Sequence, residues 1–228
     1  MTDETKGTGF DALLADYACG RAPEPVRVLI ESHLELSPAN RAWVRALEAF
    51  GGAELEAVKP VPIADRGAML ARIMAEEGER PAPAGPQHPQ GRDALLPGPL
   101  RRYLGMPLDR VPWRWRLPSV REYRIPNPEG LDVGLFWFKA GGAIPGHTHE
   151  GYELVLVLEG SYTDETGRYA RGDIQWADDT IDHRPIADPG VDCLCFAVAD
   201  APLRLTGFWG RLLNVLLPGV NKRLPAGP

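Results

Sequence analysis

The stretch GHTHEGYELVLVLEG, residues 146–160, sets His147, His149 and Glu153 at the mouth of an apolar run. Side chains alternate faces along a strand, so these three share parity and point to one side of a continuous strand, the side that faces a barrel interior. Two imidazoles and a carboxylate buried there unpaired would each cost several kcal/mol in lost hydration, whereas a divalent cation takes the imidazole lone pairs and balances the carboxylate. His183, with ten residues between it and Gly172, is placed to supply a fourth ligand from a neighbouring strand. Three ring nitrogens and one carboxylate are nitrogen-rich enough for zinc and hard enough for iron, manganese or nickel, so ligand type alone does not choose the metal; zinc is the expected ion, with the other three as alternatives. Glu150 and Glu165 read as solvated or turn carboxylates.

Cys193 and Cys195 share parity in the same way. They read either as two small core residues or as an oxidation-sensitive pair that faces the metal cavity or the opposite sheet. With Cys19 the cysteines number three, an odd count without framework spacing, which suits reduced thiols.

The elements that must position these groups lie in the second half of the chain. The segments VREYRI, LDVGLFWFKA, YELVLVLEG, GDIQWA and VDCLCFAVA are separated by turn residues and predict an all-β barrel over residues 100–200. Residues 1–78 read instead as helices. Phe10, Leu13, Leu14 and Tyr17 fall on one face of a helix ending near Gly20; Val26, Leu29, Ile30, His33 and Leu34 form the stripe of a second. A third starts at Ser37-Pro38, turns Trp43, Leu47 and Phe50 inward and stops at Gly51-Gly52. A fourth spans about residues 64–77, with Met69, Leu70, Ile73 and Met74 apolar. Such short helices form a small bundle or close on a partner. Residues 79–99 are rich in Pro and Gly and read as a linker, and residues 201–228 as a helical tail that covers the barrel or pairs with a second copy to give a homodimer. The fold class is therefore α+β and multidomain: a small helical bundle followed by a barrel of the double-stranded β-helix or jelly-roll kind.

The bulk composition narrows the function. A net charge of −6 without a basic cluster speaks against direct nucleic-acid binding. No run is apolar for long enough to cross a membrane, and the first ten residues lack a secretory pattern, so the expected compartment is the cytoplasm. Residues 1–80 carry 14 acidic and 9 basic side chains, hence −5 of the total, which would suit a basic face on a protein partner.

Gly141, His147-x-His149, Glu153 and Gly160 stand at the spacing of the first cupin motif, which they resemble at every fixed position. Gly172 and His183 are similar to the second motif, with Asp178, Thr180 and Ala187 in place of its usual Pro, Gly and Asn. The resemblance implies His147, His149, Glu153 and His183 as the metal ligands, the set already reached from the residues. With the segment FDALLADYACGRAPEPVRVLIESHLELSPANRAWVRALEAFGGAELE in front, the order of helices, linker and barrel resembles the ChrR family of anti-sigma factors. That resemblance implies helices that grip an extracytoplasmic-function sigma factor and a cupin domain that responds to an oxidant. One departure concerns zinc in the helical domain: the family's His-x3-Cys-x2-Cys reads here as His33, Ser37 and Asn40, with no histidine upstream, so an N-terminal zinc site is not expected. The rival reading is a cupin metalloenzyme, dioxygenase-like, with the helices as an accessory module.

Overall fold

Strand β10 (Cys193–Ala199) is buried at every position, because both of its faces are covered. It is central to a six-stranded antiparallel sheet ordered β1-β2-β3-β10-β5-β8, with β1 Arg114–Leu117, β2 Val120–Arg124, β3 Asp132–Phe138, β5 Glu153–Glu159 and β8 Ile174–Ala177. The computed structural model describes residues 8–38, 40–75, 91–201 and 203–206. Facing the large sheet are a three-stranded sheet, β7-β6-β9 (Gly167–Ala170, Ser161–Asp164, Ile186–Ala187), and a two-stranded one, β11-β4 (Leu203–Leu205, His147–His149).

Alternation assigns the two faces. Val155 and Val157 of β5, Phe136 and Phe138 of β3 and Cys193 and Cys195 of β10 pack between the sheets. The intervening Leu154, Leu156 and Leu158, Leu135 and Trp137, and Leu194, Phe196 and Val198 point outward. That outer face would be exposed in an isolated barrel. Here helices cover it: α1 (Thr8–Ala18), α2 (Glu24–Leu36) and α5 (Gly98–Leu104) bring Leu14, Val26, Leu29, Ile30, Leu100 and Leu104 into the same apolar core. The stripes that predict a bundle or a partner are therefore spent largely on the barrel itself. Burying one such leucine stabilises by about 1.5–3 kcal/mol.

Several boundaries differ from the sequence expectation. Helix α3 (Arg41–Ala57) runs through Gly51-Gly52, because two glycines cost about 1 kcal/mol each while the Ala, Glu and Leu around them favour helix; it ends at the extended Val58, two residues before Pro60. Its buried edge is Val44 with Leu47, whereas Trp43 and Phe50 point outward at 50 % and 69 % exposure, opposite to the expected direction. Helix α4 (Arg66–Ala75) buries none of its residues. Within the expected linker, residues 91–95 form a 3-10 turn, and α5 begins at Gly98, where the Glu35 carboxylate accepts from its backbone N–H at 3.0 Å. Residues 98–104, assigned by sequence to linker and barrel, thus belong to the helical layer. The tail enters as strand β11 rather than a helix, since Leu203–Leu205 pairs with β4; residues 207–228 lie outside the described residues. No helix among the described residues is long and apolar enough to cross a membrane.

Candidate metal centre

Strand β4 turns His147 and His149 inward and Thr148 outward, as its parity predicts. The backbones of His147 and His183 bond reciprocally at 3.0 Å, which brings the distant histidine opposite the first. Glu153 reaches the same point by another route. The strand is not continuous from His147 to Glu153, as the parity argument assumed: the chain crosses from the small sheet to the large one at Gly151-Tyr152, where the Tyr152 N–H donates to Asp200 at 2.7 Å. A Cβ at Gly151 would collide with the Asp200 carboxylate, so the crossing needs a glycine.

The four side chains converge. One ligand atom from each of His147, His149, Glu153 and His183 lies within 4.8 Å of all the others. Nε2 of His149 stands 3.3 Å from Nε2 of His183 and 3.4 Å from Oε2 of Glu153. Two nitrogens bound tetrahedrally to one zinc at about 2.05 Å would stand about 3.3 Å apart, so the spacing suits a shared ion. All three rings are 1–2 % exposed and the Glu153 side chain 16 %. Burial lowers the pKa of His147 and of His149 to about 4, so both keep their lone pairs at neutral pH. Burial pushes the Glu153 carboxyl up, against the pull of His147 and His183. Two neutral rings beside a carboxyl that resists ionisation lack one thing, positive charge. The cluster could hold a metal ion.

The outer nitrogens settle how two rings are turned. Nδ1 of His147 donates to the Pro145 carbonyl at 2.9 Å, and Nδ1 of His183 to Asp164 Oδ2 at 2.8 Å, leaving each Nε2 as the inward acceptor. The Nδ1 of His149 has no hydrogen-bond partner among the described residues, so no hydrogen bond fixes that ring from its outer side. Asp164, at the end of β6, has a fully buried side chain and was not anticipated. Burial by itself would raise its pKa, but hydrogen bonds from His183, Thr166 and Gln175 hold the carboxyl well below the usual range. In the sequence Asp164 looks like the opening residue of the turn Glu165-Thr166-Gly167, and it does accept from the N–H groups of Thr166 and Gly167 at 2.8 and 3.1 Å. The local role hides the distant one. Glu150 pairs with Arg204 and Glu165 accepts from the Arg184 N–H, both away from the centre.

Cys193 and Cys195 project into the barrel interior with their sulfurs 3.6 Å apart. Cys195 also lines a cavity of about 50 Å³ with His147, Glu153, His183, Phe136 and Leu203. Its hydrogen bond with Cys193, followed by burial, raises its pKa, so the Cys195 thiol stays protonated.

Comparison with known proteins agrees with this arrangement. A family model described as the ChrR Cupin-like domain matches residues 117–202. The anti-sigma-E factor ChrR of Cereibacter sphaeroides is 39% identical over 207 residues, covering 90% of this chain and 94% of the relative. The crystal structure of Rhodobacter sphaeroides SigE in complex with the anti-sigma ChrR contains a chain that superposes with a TM-score of 0.71 at 36% identity, over 83% of this chain and 96% of that one.

Proposed function

Because this chain belongs to the ChrR family of anti-sigma factors, we propose that its N-terminal helices sequester an extracytoplasmic-function sigma factor and that its metal-bearing barrel senses an oxidant. The observation that carries the first half is a set of uncovered apolar side chains on α3, α4 and the connection between them. Phe50 of α3, Val61 in the connection and Met74 of α4 are 69 %, 86 % and 78 % exposed, with Trp43, Leu70 and Ile73 also exposed. Soluble monomers rarely leave apolar patches beyond a few hundred Å² open, and larger ones mark interaction sites. Covering one such side chain gains about 1.5–3 kcal/mol. The test is co-expression with the extracytoplasmic-function sigma factors of the same genome. A one-to-one complex is expected on size exclusion, and failure of all of them to bind would refute the reading.

For the barrel we assign zinc as the ion, held by His147, His149, Glu153 and His183. When bound, it supplies two positive charges that tie three separated segments together, β4, the start of β5 and the stretch that carries His183. Elemental analysis of the purified protein should give one zinc per chain; iron with oxygen consumption would favour the enzyme reading instead. Space argues against that rival, since substrate pockets usually offer about 300–1,000 Å³ and the cavity beside the ligands offers about 50 Å³. A small hydroperoxide reaching Cys195 would oxidise its thiol to a sulfenic acid while being reduced to the alcohol, and condensation with the Cys193 thiol would expel water and form a disulfide. Mass spectrometry of the treated protein should show the loss of two hydrogens. If serine at both positions leaves oxidant-driven release of the sigma factor at the wild-type rate, the cysteines have no part in it.

A further inference from the structure

His33, in the last turn of α2, is 4 % exposed and has both ring nitrogens engaged. Nδ1 lies 2.7 Å from the Gly172 carbonyl oxygen and Nε2 lies 3.0 Å from Nδ2 of Asn40. A carbonyl only accepts, so Nδ1 carries the proton and Nε2 accepts from the Asn40 amide. One neutral tautomer satisfies both bonds, and burial favours the neutral ring.

These two bonds join three parts of the chain. Asn40 opens α3, and its carbonyl accepts from the Val44 N–H at 3.0 Å. Gly172 lies in the turn between β7 and β8, fastened to β5 by Gly172 N–H to Val157 O and Val157 N–H to Asp173 O. The end of α2 rests against that turn: a Cβ on Gly172, whose φ is +92°, would stand 3.4 Å from the Leu36 Cβ. Three residues further on, Gln175 of β8 donates to Asp164, the acceptor for Nδ1 of His183. From a ligand of the metal centre to the residue that precedes α3, the path therefore runs through side-chain hydrogen bonds and one short piece of turn and strand.

We propose that His33 is a latch by which the barrel holds the α2–α3 corner, so that a displacement of the β7–β8 turn reaches the helix that carries part of the exposed apolar face. Only the destination, a sigma factor on that face, rests on the function proposed above; the latch is a property of the free chain. The geometry offers two states: the buried ring makes both bonds or, once the turn moves, its Nδ1–H and the Gly172 carbonyl are left without each other and the ring no longer holds the corner in place.

Hydrogen–deuterium exchange of the full chain tests it. His33→Ala should speed exchange roughly tenfold at the Val44 amide and also at the Gly172 and Val157 amides on the barrel side. Turn amides that keep wild-type rates in that variant would overturn the proposal. Should His33→Ala fail to fold, two milder variants decide. Asn40→Ala releases only the α3 side, so Val44 should exchange faster while Gly172 does not. Gly172→Ala, strained at its positive φ and set against Leu36 of α2, leaves Asn40 intact, disturbs the contact between the turn and α2 and should likewise speed Val44. A Val44 rate unchanged in both rules the latch out. No sigma factor is needed for this readout, so a failed capture experiment and a failed latch are separate results.

Discussion

Replacing Asp164 by Asn tests the reasoning about the metal centre most directly, because the substitution preserves shape and removes one acceptor. Oδ1 of Asp164 accepts from the Thr166 N–H at 2.8 Å, the Thr166 hydroxyl at 2.7 Å and the Gly167 N–H at 3.1 Å, while Oδ2 accepts from His183 Nδ1 at 2.8 Å and from Gln175 Nε2. Every group that faces the carboxylate is a donor. An asparagine must therefore turn its own NH₂ toward one of the two sets, and a buried donor left facing donors costs about 1–3 kcal/mol of fold stability. If the NH₂ faces His183, the ring is pushed to the other tautomer and its Nε2 carries a proton where a lone pair is needed. Loss of such an outer partner lowers metal affinity about 10- to 100-fold, or about 1.4–2.7 kcal/mol. Zinc affinity would be read by competition with a chelator of known strength near neutral pH, and stability by urea unfolding of the metal-free protein. If Asp164→Asn holds zinc within about twofold of the wild type, the orientation argument is wrong and His183 is held by its backbone bridge to His147 alone.

Other outcomes follow from the same coordinates. Ile73→Asp, at a position 57 % exposed, should leave the melting temperature within about 2 °C of wild type and weaken sigma-factor capture at least about tenfold; equal capture in a titrated pull-down would remove α4 from the docking face. Leu156→Ala, at a fully buried site where β5 meets the helices, should cost about 2–5 kcal/mol in urea unfolding, and a loss below about 1 kcal/mol would mean that the helices do not rest on the sheet. In the metal-free protein, acid should destabilise the fold. His33, His147 and His149 titrate below 6.5 when folded, the last two at about 4, so the unfolded chain binds more protons as pH falls through 6.5, and stability is lost on the way down to about 4. Glu153, raised above 4.5 by burial, works in the opposite sense with one carboxyl against three rings. Unfolding midpoints that stay level or rise from neutral pH to pH 5 would contradict this balance.

What the sequence determined by itself is what short-range periodicity can carry. Strand alternation places His147 and His149 on one side, the same parity names Glu153 although the strand is broken before it, and the helical stripes of Val26, Leu29 and Ile30 are buried as their pattern requires. Periodicity says which residues share a face. It does not say what that face meets, and here tertiary structure decided. The apolar stripes of α1 and α2 lie on the outer face of the barrel sheet, while Trp43 and Phe50 of α3 are left to solvent. Asp164 reaches His183 across 19 residues and His33 reaches Gly172 across 139, separations over which no local pattern survives. In both cases one polar atom is satisfied nearby or by solvent in the unfolded chain, and only close packing of distant segments excludes the water and leaves a single partner to take its place.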